Sequence, residues 1–220
     1  MGKLEILKDK LLLDGKPFYL ASGDLHYFRV MPGGWRRRLE LMKDFGLTAV
    51  QTYVPWNLHE PKKGIFNFEG MLDLSAFLKL ADEVGLKVML RPSPYMCAEW
   101  DMGGLPSWLL KNRSTCIRSS DPEFLKHVES YTERLCKEFV PYLSTNGGPI
   151  IAVAIENEYG SYGNDKKYLR SLIDMLVKNG VDVPFYTASG YDIFKLYFGD
   201  CEETWAGVDF RIESEYAIAK

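Results

Sequence analysis

Carboxylates, amides and aromatic rings recur at the ends of four short apolar stretches of the 220-residue sequence. They are His26 and Tyr27; Tyr53, Trp56, Asn57 and Glu60; Tyr95, Glu99 and Trp100; and Asn157, Glu158 and Tyr159. Carboxylates and amides hydrogen-bond hydroxyl groups, and aromatic faces pack on the C–H surface of a pyranose ring. Phosphate recognition would require clustered Arg and Lys, and only Arg29 and Arg91 lie near these positions. The combination therefore favours a neutral, polyhydroxylated ligand, and a sugar fits it best.

An unbroken apolar run over residues 149–155 leads directly into Glu156, Asn157 and Glu158. A run of this length, rich in β-branched residues, indicates a strand buried on both faces of a parallel sheet. Carboxylates at the carboxyl end of such a strand lie where α/β barrels keep their chemistry. The alternative is that Glu156 and Glu158 are solvated residues at the start of a loop. Because three other predicted strands end in the same kind of residues, a site is favoured, with Glu156 as a supporting carboxylate.

The order Glu156-Asn157-Glu158 sets a geometrical condition on such a site. Strict alternation along a strand would point Asn157 and Glu158 to opposite faces of the sheet. Both side chains serve one pocket only if the strand has already bent into its loop at this point. Tyr159-Gly160, which follows directly, permits that bend.

Strands and helices alternate along the sequence at least five times, which predicts a parallel α/β fold. The predicted strands cover residues 18–21, 47–54, 86–90, 149–155, 183–187 and 204–210. The predicted helices cover residues 35–45, 72–84, 122–143 and 167–178, with a shorter one near Pro106. Ahead of them, the turn signal Asp14-Gly15 predicts a small N-terminal hairpin within residues 1–16. We interpret this hairpin as a lid at the mouth of the fold.

Two architectures suit this alternation: a doubly wound sheet and a (β/α)8 TIM barrel. No Gly-rich phosphate loop follows the first strand, which counts against a nucleotide-binding doubly wound sheet. Polar ends on every successive strand favour the barrel. A whole barrel takes about 250 residues and eight strands, so we expect a single domain over residues 1–220, truncated after about six strands. Its two unpaired edges predict self-association.

Composition limits the classes of partner. A net charge of -3 and a pI near 5.7 provide no basic face for nucleic acid. No segment has the length and apolarity to span a membrane, and the N-terminus lacks the apolar core of a signal peptide. The four cysteines are scattered without zinc spacing, and we predict neither a metal nor a cofactor. A cytoplasmic location is expected, with secretion or a lysosomal location, after removal of a signal, as the alternative.

An ordered series of motifs makes the sequence recognisable. They are GDLHYFR (23–29), QTYVPWNLHEP (51–61), LRPSPYMCAEW (90–100), GGLPSWL (103–109), NGGPII (146–151) and ENEYGSY (156–162). Together they resemble the N-terminal part of the catalytic barrel of glycoside hydrolase family 35, the β-galactosidases. The resemblance covers about residues 10 to 210, with the motifs in order and at consistent spacing, which makes it highly specific.

The resemblance implies a retaining exo-hydrolase that removes β-linked galactose from the non-reducing end of a small-molecule or glycan β-galactoside. In that family the Glu of Asn-Glu-Tyr-Gly is the general acid/base, which corresponds to Glu158. The preceding Asn157 would bind the sugar 2-hydroxyl. Tyr53 and the stretch Cys97-Ala98-Glu99 correspond to positions that line the galactose pocket, with Glu99 hydrogen-bonding ring hydroxyls.

The resemblance also exposes a gap. The family's nucleophile is a second Glu at the end of strand seven, inside a Trp- and Gly-rich motif that does not occur in residues 1–220. Ser214-Glu215-Tyr216 is only faintly like it, because no room is left for the intervening helix and no Gly-Trp follows. We interpret residues 211–220 as the start of the next helix, with the nucleophile beyond them. Two hypotheses therefore stay open: a glycosidase completed by further C-terminal residues, and a catalytically incomplete galactoside-binding fragment or remnant.

Overall fold

Six parallel strands, joined by helices, form a sheet that curls into part of a barrel. The computed structural model describes residues 2–190 and 192–209. In chain order its strands are β1 (Leu4–Ile6), β2 (Leu11–Leu13), β3 (Lys16–Pro17), β4 (Ser22–Asp24), β5 (Ala49–Tyr53), β6 (Lys87–Arg91), β7 (Ile150–Ile155), β8 (Phe185–Gly190) and β9 (Thr204–Asp209). Its α-helices are α1 (Trp35–Asp44), α2 (Trp56–His59), α3 (Leu74–Val84), α4 (Pro122–Phe139), α5 (Lys166–Lys178) and α6 (Ile193–Gly199). Strands β4 to β9 lie side by side in sequence order, and each neighbouring pair is parallel.

The curvature of the sheet is visible in a hydrogen bond across its concave face. The Tyr186 hydroxyl on β8 donates to the Gln51 side-chain oxygen on β5, at 2.9 Å. These strands are three places apart in the sheet. With about 4.8 Å between neighbouring strands, a flat sheet would separate them by more than the reach of the two side chains. The sheet is therefore curled as in a barrel, which confirms the predicted fold class.

Alternation along the strands produces two apolar layers. Outward residues such as Val50, Leu90 and Val153 pack under the helices in the larger core. Inward residues such as Met89 and Ala154 form a smaller cluster inside the curl. All six residues of β7 are buried, because both of its faces are covered.

Four of the α-helices start at an aspartate cap. Asp73, Asp121, Asp165 and Asp192 each accept a hydrogen bond from a backbone N–H of the first turn, at the start of α3, α4, α5 and α6. These caps accept hydrogen bonds from backbone N–H groups of the first turn, which have no acceptor within the helix itself. In α4 the cap is followed by Pro122, the sequence signal that predicted this helix start.

Some predicted elements differ from the observed ones. The first strand was expected over residues 18–21, but the pairing with β5 begins at Ser22 and ends at Asp24. The strand expected over 183–187 begins and ends later, at Phe185 and Gly190, and α6 was not predicted. The last predicted strand extends to Phe210, which lies outside the described residues, as do residues 211–220.

The N-terminal sheet lies at the end of the barrel opposite to the one expected. Strands β1 to β3 are antiparallel, and Leu4 packs into the inner apolar cluster with Met89 and Ile151. Lys3 and Leu4 also line a cavity with Thr145 and residues 182–185, which lead into β7 and β8. The hairpin is therefore a plug at the amino ends of the strands, and its prediction as a lid at the mouth was wrong.

The physical reason for this position is the polarity of the two barrel ends. The inner side chains nearest the amino ends, such as Ile151 and Tyr186, are apolar, and leaving them in water would cost about 25 cal/mol per Å². A Leu-rich hairpin covers them. The turn signal located the hairpin in the sequence but carried no information on which end needed covering.

Strands β4 and β9 form the two edges of the described sheet. The self-association expected from such edges stays a prediction. Within the described part of the chain, no helix combines the length and apolarity required to cross a bilayer.

The plug assignment predicts that Leu4→Ala is strongly destabilising. Leu4 is 3 % exposed, and truncation of a buried leucine typically lowers the free energy of unfolding by about 2–5 kcal/mol. Urea unfolding followed by circular dichroism measures the change. Leu7→Ala, at a leucine that is 44 % exposed, is the matched control and should change stability by less than about 0.5 kcal/mol. Equal, small effects of both substitutions would contradict the plug.

Candidate active site

Three side chains from adjacent strands meet inside the barrel at its carboxyl edge. The Asn157 side-chain oxygen accepts hydrogen bonds from the Tyr53 hydroxyl, at 3.2 Å, and from Arg91 Nη2, at 2.6 Å. The Arg91 guanidinium also lies over the Tyr53 ring, 4.5 Å from its centroid. The structure therefore brings together Tyr53 and Asn157, two residues selected from the sequence, and adds Arg91 between them.

Arg91 is a buried cation without a carboxylate partner among the described residues. Its Nε is buried and finds no hydrogen-bond acceptor in the same part of the chain. A buried positive charge is costly unless an anion or strong acceptors compensate it. The position next to Asn157 therefore favours an anionic group, since a nearby cation stabilises the ionised form of a carboxyl.

The backbone bends sharply where β7 ends. Glu156 and Glu158 both adopt left-handed conformations, with φ of 60° and 46°. The Glu158 N–H donates to the Ala188 carbonyl on β8 at 2.7 Å, and its own carbonyl accepts from Ser161. These bonds hold Glu158 at the carboxyl edge of the sheet, and the bend required by the sequence argument is present at these two residues.

Glu158 and Glu156 have different surroundings. Glu158 is half-buried, and its carboxylate accepts no hydrogen bond from a described residue. Glu156 is fully buried and accepts bonds from Arg118, from the Tyr168 hydroxyl and from the Asn157 N–H. Glu156 thus faces the helix layer, as a supporting carboxylate, and Glu158 keeps its carboxylate available for a ligand.

Gly160 is required by close packing behind this bend. A Cβ at this position would lie 1.8 Å from the Lys195 carbonyl oxygen. Helix α6, to which Lys195 belongs, therefore packs directly on the loop that follows Glu158. Any side chain at position 160 would displace one of the two segments.

Residues 97–99 form a turn with an unusual backbone. Cys97, Ala98 and Glu99 have φ of 57°, 52° and 46° in succession. Left-handed non-glycine residues cost roughly 1–2 kcal/mol each, so surrounding bonds must impose this conformation. Arg29 Nη2 donates to the Ala98 carbonyl, and the Trp100 N–H donates to the Cys97 carbonyl at 3.0 Å. Such imposed strain is typical of functional sites, and Glu99, at the end of the turn, is exposed.

Aromatic rings connect this turn to Tyr53. The His26 ring packs edge-on against Tyr53, with centroids 5.1 Å apart, and stacks on Phe28 at 5.6 Å. Phe28 in turn contacts Trp100 at 5.2 Å, and the Arg29 guanidinium lies over both of these rings. Burial lowers the pKa of His26, while the charge of Asp24 acts in the opposite direction.

Other residues selected from the strand ends lie behind the site. Trp56 is fully buried and stacks on Tyr131, with centroids 4.7 Å apart, and its indole N–H donates to Glu60 at 2.6 Å. Tyr159 is buried too, and burial raises its pKa to about 12. These side chains hold the loops in place and do not line the pocket.

Sequence reasoning missed Arg118. It lies between the predicted helices, in a polar stretch without periodicity, and no local pattern distinguishes it from the exposed Arg113 nearby. Only the folded structure shows that it is buried and bound to Glu156.

His59 supports the loop after β5 in its neutral form. Nδ1 lies 2.8 Å from the Asn67 carbonyl and therefore carries the proton, while Nε2 accepts from the Tyr27 hydroxyl at 2.5 Å. Burial lowers the pKa of His59 to about 4, and the charge of Arg134 acts in the same direction, against the hydrogen bond to Asn67.

This lowered pKa predicts acid sensitivity. As pH falls below 6.5, His59 becomes protonated in the unfolded chain, whereas in the folded protein it becomes protonated only near pH 4. The free energy of unfolding should therefore fall by about 3 kcal/mol between these values from this residue alone. Urea unfolding at pH 7 and pH 4 should show a smaller pH-dependent loss for His59→Asn, although that variant is less stable at pH 7. An unchanged loss would contradict the assignment.

The curled parallel sheet and the polar cluster at its carboxyl edge define a protein of the (β/α)8-barrel class. An exo-β-1,4-mannosidase from Opitutaceae bacterium strain TAV5 matches 83 % of this chain and 35 % of its own, with a TM-score of 0.67 and 16 % identity. GH5_18 from Streptomyces cattleya, solved with GlcNAc, matches 78 % and 44 %, with a TM-score of 0.62 and 15 % identity. At these identities the likeness shows the fold alone.

The chain belongs to the glycosyl hydrolases family 35, whose model matches residues 10–216. A β-galactosidase from Mus musculus is 48 % identical over 94 % of this chain and 32 % of its own length. Beta-galactosidase 17 of Arabidopsis thaliana is 50 % identical over 86 % and 27 %. The Homo sapiens β-galactosidase is 46 % identical over 100 % and 33 %. The chain thus spans about a third of the length of these curated relatives.

Proposed function

We propose that this chain carries the acid/base half of the active site of a retaining β-galactosidase. The enzyme would hydrolyse terminal, non-reducing β-D-galactose residues of small-molecule or glycan β-galactosides. Glu158 is the general acid/base, and the nucleophile is a Glu supplied by residues that follow the 220 of this sequence. Membership of family 35 and the β-galactosidase names of the relatives support the substrate class.

The proposal is supported above all by the position of Asn157 and Glu158, which follow each other at the bend. The Asn157 oxygen is occupied by Tyr53 and Arg91, so its amide N–H groups are available to a sugar hydroxyl. Glu158 follows in a left-handed turn at the barrel edge, with its carboxylate available. Two consecutive residues therefore present an amide that binds the sugar 2-hydroxyl and a carboxylic acid that protonates the glycosidic oxygen.

Two steps follow for Glu158. In the first, Glu158 gives its proton to the glycosidic oxygen as the bond from that oxygen to the anomeric carbon breaks, and the nucleophile forms an ester with that carbon. In the second, ionised Glu158 takes a proton from water as the water oxygen attacks the same carbon, which releases galactose and the nucleophile. The two carboxyl groups must be about 5–5.5 Å apart.

Arg91 is suited to stabilise the ionised nucleophile, which is the second carboxylate of this mechanism. A nucleophile must be ionised, and a buried guanidinium lowers the pKa of a neighbouring carboxyl. Tyr53, Cys97, Ala98, Glu99 and Asn157 are proposed as the substrate-binding residues. The half-buried rings of His26, Tyr53 and Trp100 contribute apolar area against the sugar C–H face.

The second candidate function is galactoside binding without hydrolysis. It is favoured by one observation: among the described residues, no carboxylate contacts the Arg91 guanidinium or the Asn157 side chain, so no nucleophile is evident there. Glu215, the faint sequence candidate, lies outside these residues. A cytoplasmic location, or a secreted or lysosomal one, stays a prediction from the sequence.

Glu158→Ala in the complete reading frame that encodes these residues tests the proposal. General acid catalysis contributes about 10²–10⁴-fold, so hydrolysis of phenyl β-galactoside should fall by that factor. With 2,4-dinitrophenyl β-galactoside, whose leaving group departs without a proton, azide should restore turnover of the variant and yield β-galactosyl azide, because a small anion fits the space of the missing carboxylate and attacks the glycosyl-enzyme ester from the same face as water.

Glu129→Ala is the control, because Glu129 lies on α4 and its one ion-pair partner among the described residues is the exposed Lys178. It should retain wild-type rates. A wild type that binds galactose in calorimetry but hydrolyses no β-galactoside would support the binding candidate. Full activity of Glu158→Ala would contradict the assignment of the acid/base.

A further inference from the structure

We infer that Arg118 is a positioning residue for the acid/base segment, an inference that rests on the function proposed above. Its buried ion pair with Glu156 fixes the backbone that presents Asn157 and Glu158, and its guanidinium joins that backbone to the loop that carries residues 97–99. Arg118 contacts no substrate in this assignment. It acts through its neighbours.

The ion pair itself is bidentate and almost fully enclosed. Arg118 Nε and Nη2 donate to the two carboxylate oxygens of Glu156 at 3.0 and 2.8 Å. The two side chains are 6 % and 1 % exposed. Burial by itself would lower the pKa of Arg118, but the hydrogen bonds and charge of Glu156 outweigh it and raise that pKa. Arg118 is therefore charged, and the enclosed pair has no alternative partner in water.

The pair holds both backbone groups of Asn157. The Asn157 N–H donates to Glu156 Oε2 at 2.7 Å, and its carbonyl accepts from Arg118 Nη2 at 2.9 Å. Because both peptide groups are fixed, the Asn157 side chain is directed into the barrel. The backbone position at which Glu158 starts is fixed as well. The left-handed conformations on either side are strained for glutamate and need such restraints to persist.

The guanidinium also packs among tyrosines of two different loops. Its Cζ lies 3.6 Å from the ring centroid of Tyr95 and 4.2 Å from that of Tyr162. Tyr95 precedes the strained turn of residues 97–99, while Tyr162 follows the acid/base segment. The Tyr159 hydroxyl closes the arrangement by donating to the Arg118 carbonyl at 3.0 Å. One side chain therefore sets the distance between the loop proposed to bind sugar and the loop proposed to protonate it.

The geometry requires arginine. A planar guanidinium makes two parallel bonds to a carboxylate, a third bond to a carbonyl and stacking contacts at the same time. Lysine would keep the charge but lose the fork and the stacking. Arg118→Lys should therefore conserve much of the folding stability and still misplace Asn157 and Glu158.

Leaving-group dependence separates positioning from a purely structural role. Phenol is a poor leaving group and needs protonation by Glu158, whereas 2,4-dinitrophenol leaves without it. Because kcat/KM reports only the steps up to the first bond cleavage, the two substrates isolate acid assistance. A substitution that only reduced the fraction of folded enzyme would lower kcat/KM by the same factor for both substrates.

The test compares Arg118→Lys, Arg118→Gln and the control Arg134→Gln in the complete reading frame. Arg134 also pairs with a glutamate and stacks on an aromatic ring, but it lies on α4 away from the site. We expect kcat/KM for phenyl β-galactoside to fall about 100-fold in both Arg118 variants, and at least 10-fold more than for the dinitrophenyl substrate. Arg134→Gln should leave kcat/KM unchanged for both substrates. Equal losses on both substrates, or no loss, would overturn the inference.

Amide hydrogen exchange decides the same point without turnover. In Arg118→Gln the amides of Asn157 and Glu158 should exchange at least 10-fold faster than in wild type, while Leu78 in α3 keeps its rate. Unchanged exchange at Asn157 would overturn the inference even if the protein were inactive. A wild type that hydrolyses neither substrate would instead contradict the proposed function, so the two failures are distinguishable.

Discussion

The bend of the backbone at the end of β7 is the constraint on which the rest of the site depends. In a regular strand, Asn157 and Glu158 would point to opposite faces of the sheet. Left-handed conformations at Glu156 and Glu158 break this alternation. Glu156 is then left facing the helices, Asn157 faces the inside of the barrel, and Glu158 stands at its edge. The bend persists because buried bonds hold each residue, including the one from Glu158 to β8.

The two ends of the barrel divide its tasks. At the amino end, apolar side chains and the N-terminal plug exclude water and contribute stability. At the carboxyl end, the inward positions become polar, and Arg91 brings a positive charge that the described residues leave without an anion. This division allows strain at residues 97–99 and 156–158, since the plugged core supplies the stability that the strained loops lose.

Sequence reasoning predicted the elements whose signals are local. The uniform burial of β7 followed from its unbroken apolar run, and the start of α4 followed from Asp121-Pro122. The meeting of Tyr53 and Asn157 followed from a rule of topology, because parallel strands place their carboxyl ends at one edge. These predictions needed no knowledge of side-chain packing.

The predictions that failed depended on contacts between distant segments. The plug was expected at the wrong end because a turn signal says nothing about what its strands cover. Arg118 was missed because its role depends on Glu156, 38 positions later in the sequence. The left-handed turn at residues 97–99 was not foreseen, because no glycine marks it and Arg29 imposes part of it from another strand end.

The roles of Asn157 and Glu158 can be tested by a crystal structure of the complex with galactose. Galactose should occupy the carboxyl end of the barrel, with its 2-hydroxyl within about 3 Å of the Asn157 amide nitrogen and its anomeric hydroxyl within about 3 Å of the Glu158 carboxylate. Galactose bound elsewhere, or bound at this end with Glu158 directed away from the anomeric hydroxyl, would contradict these roles.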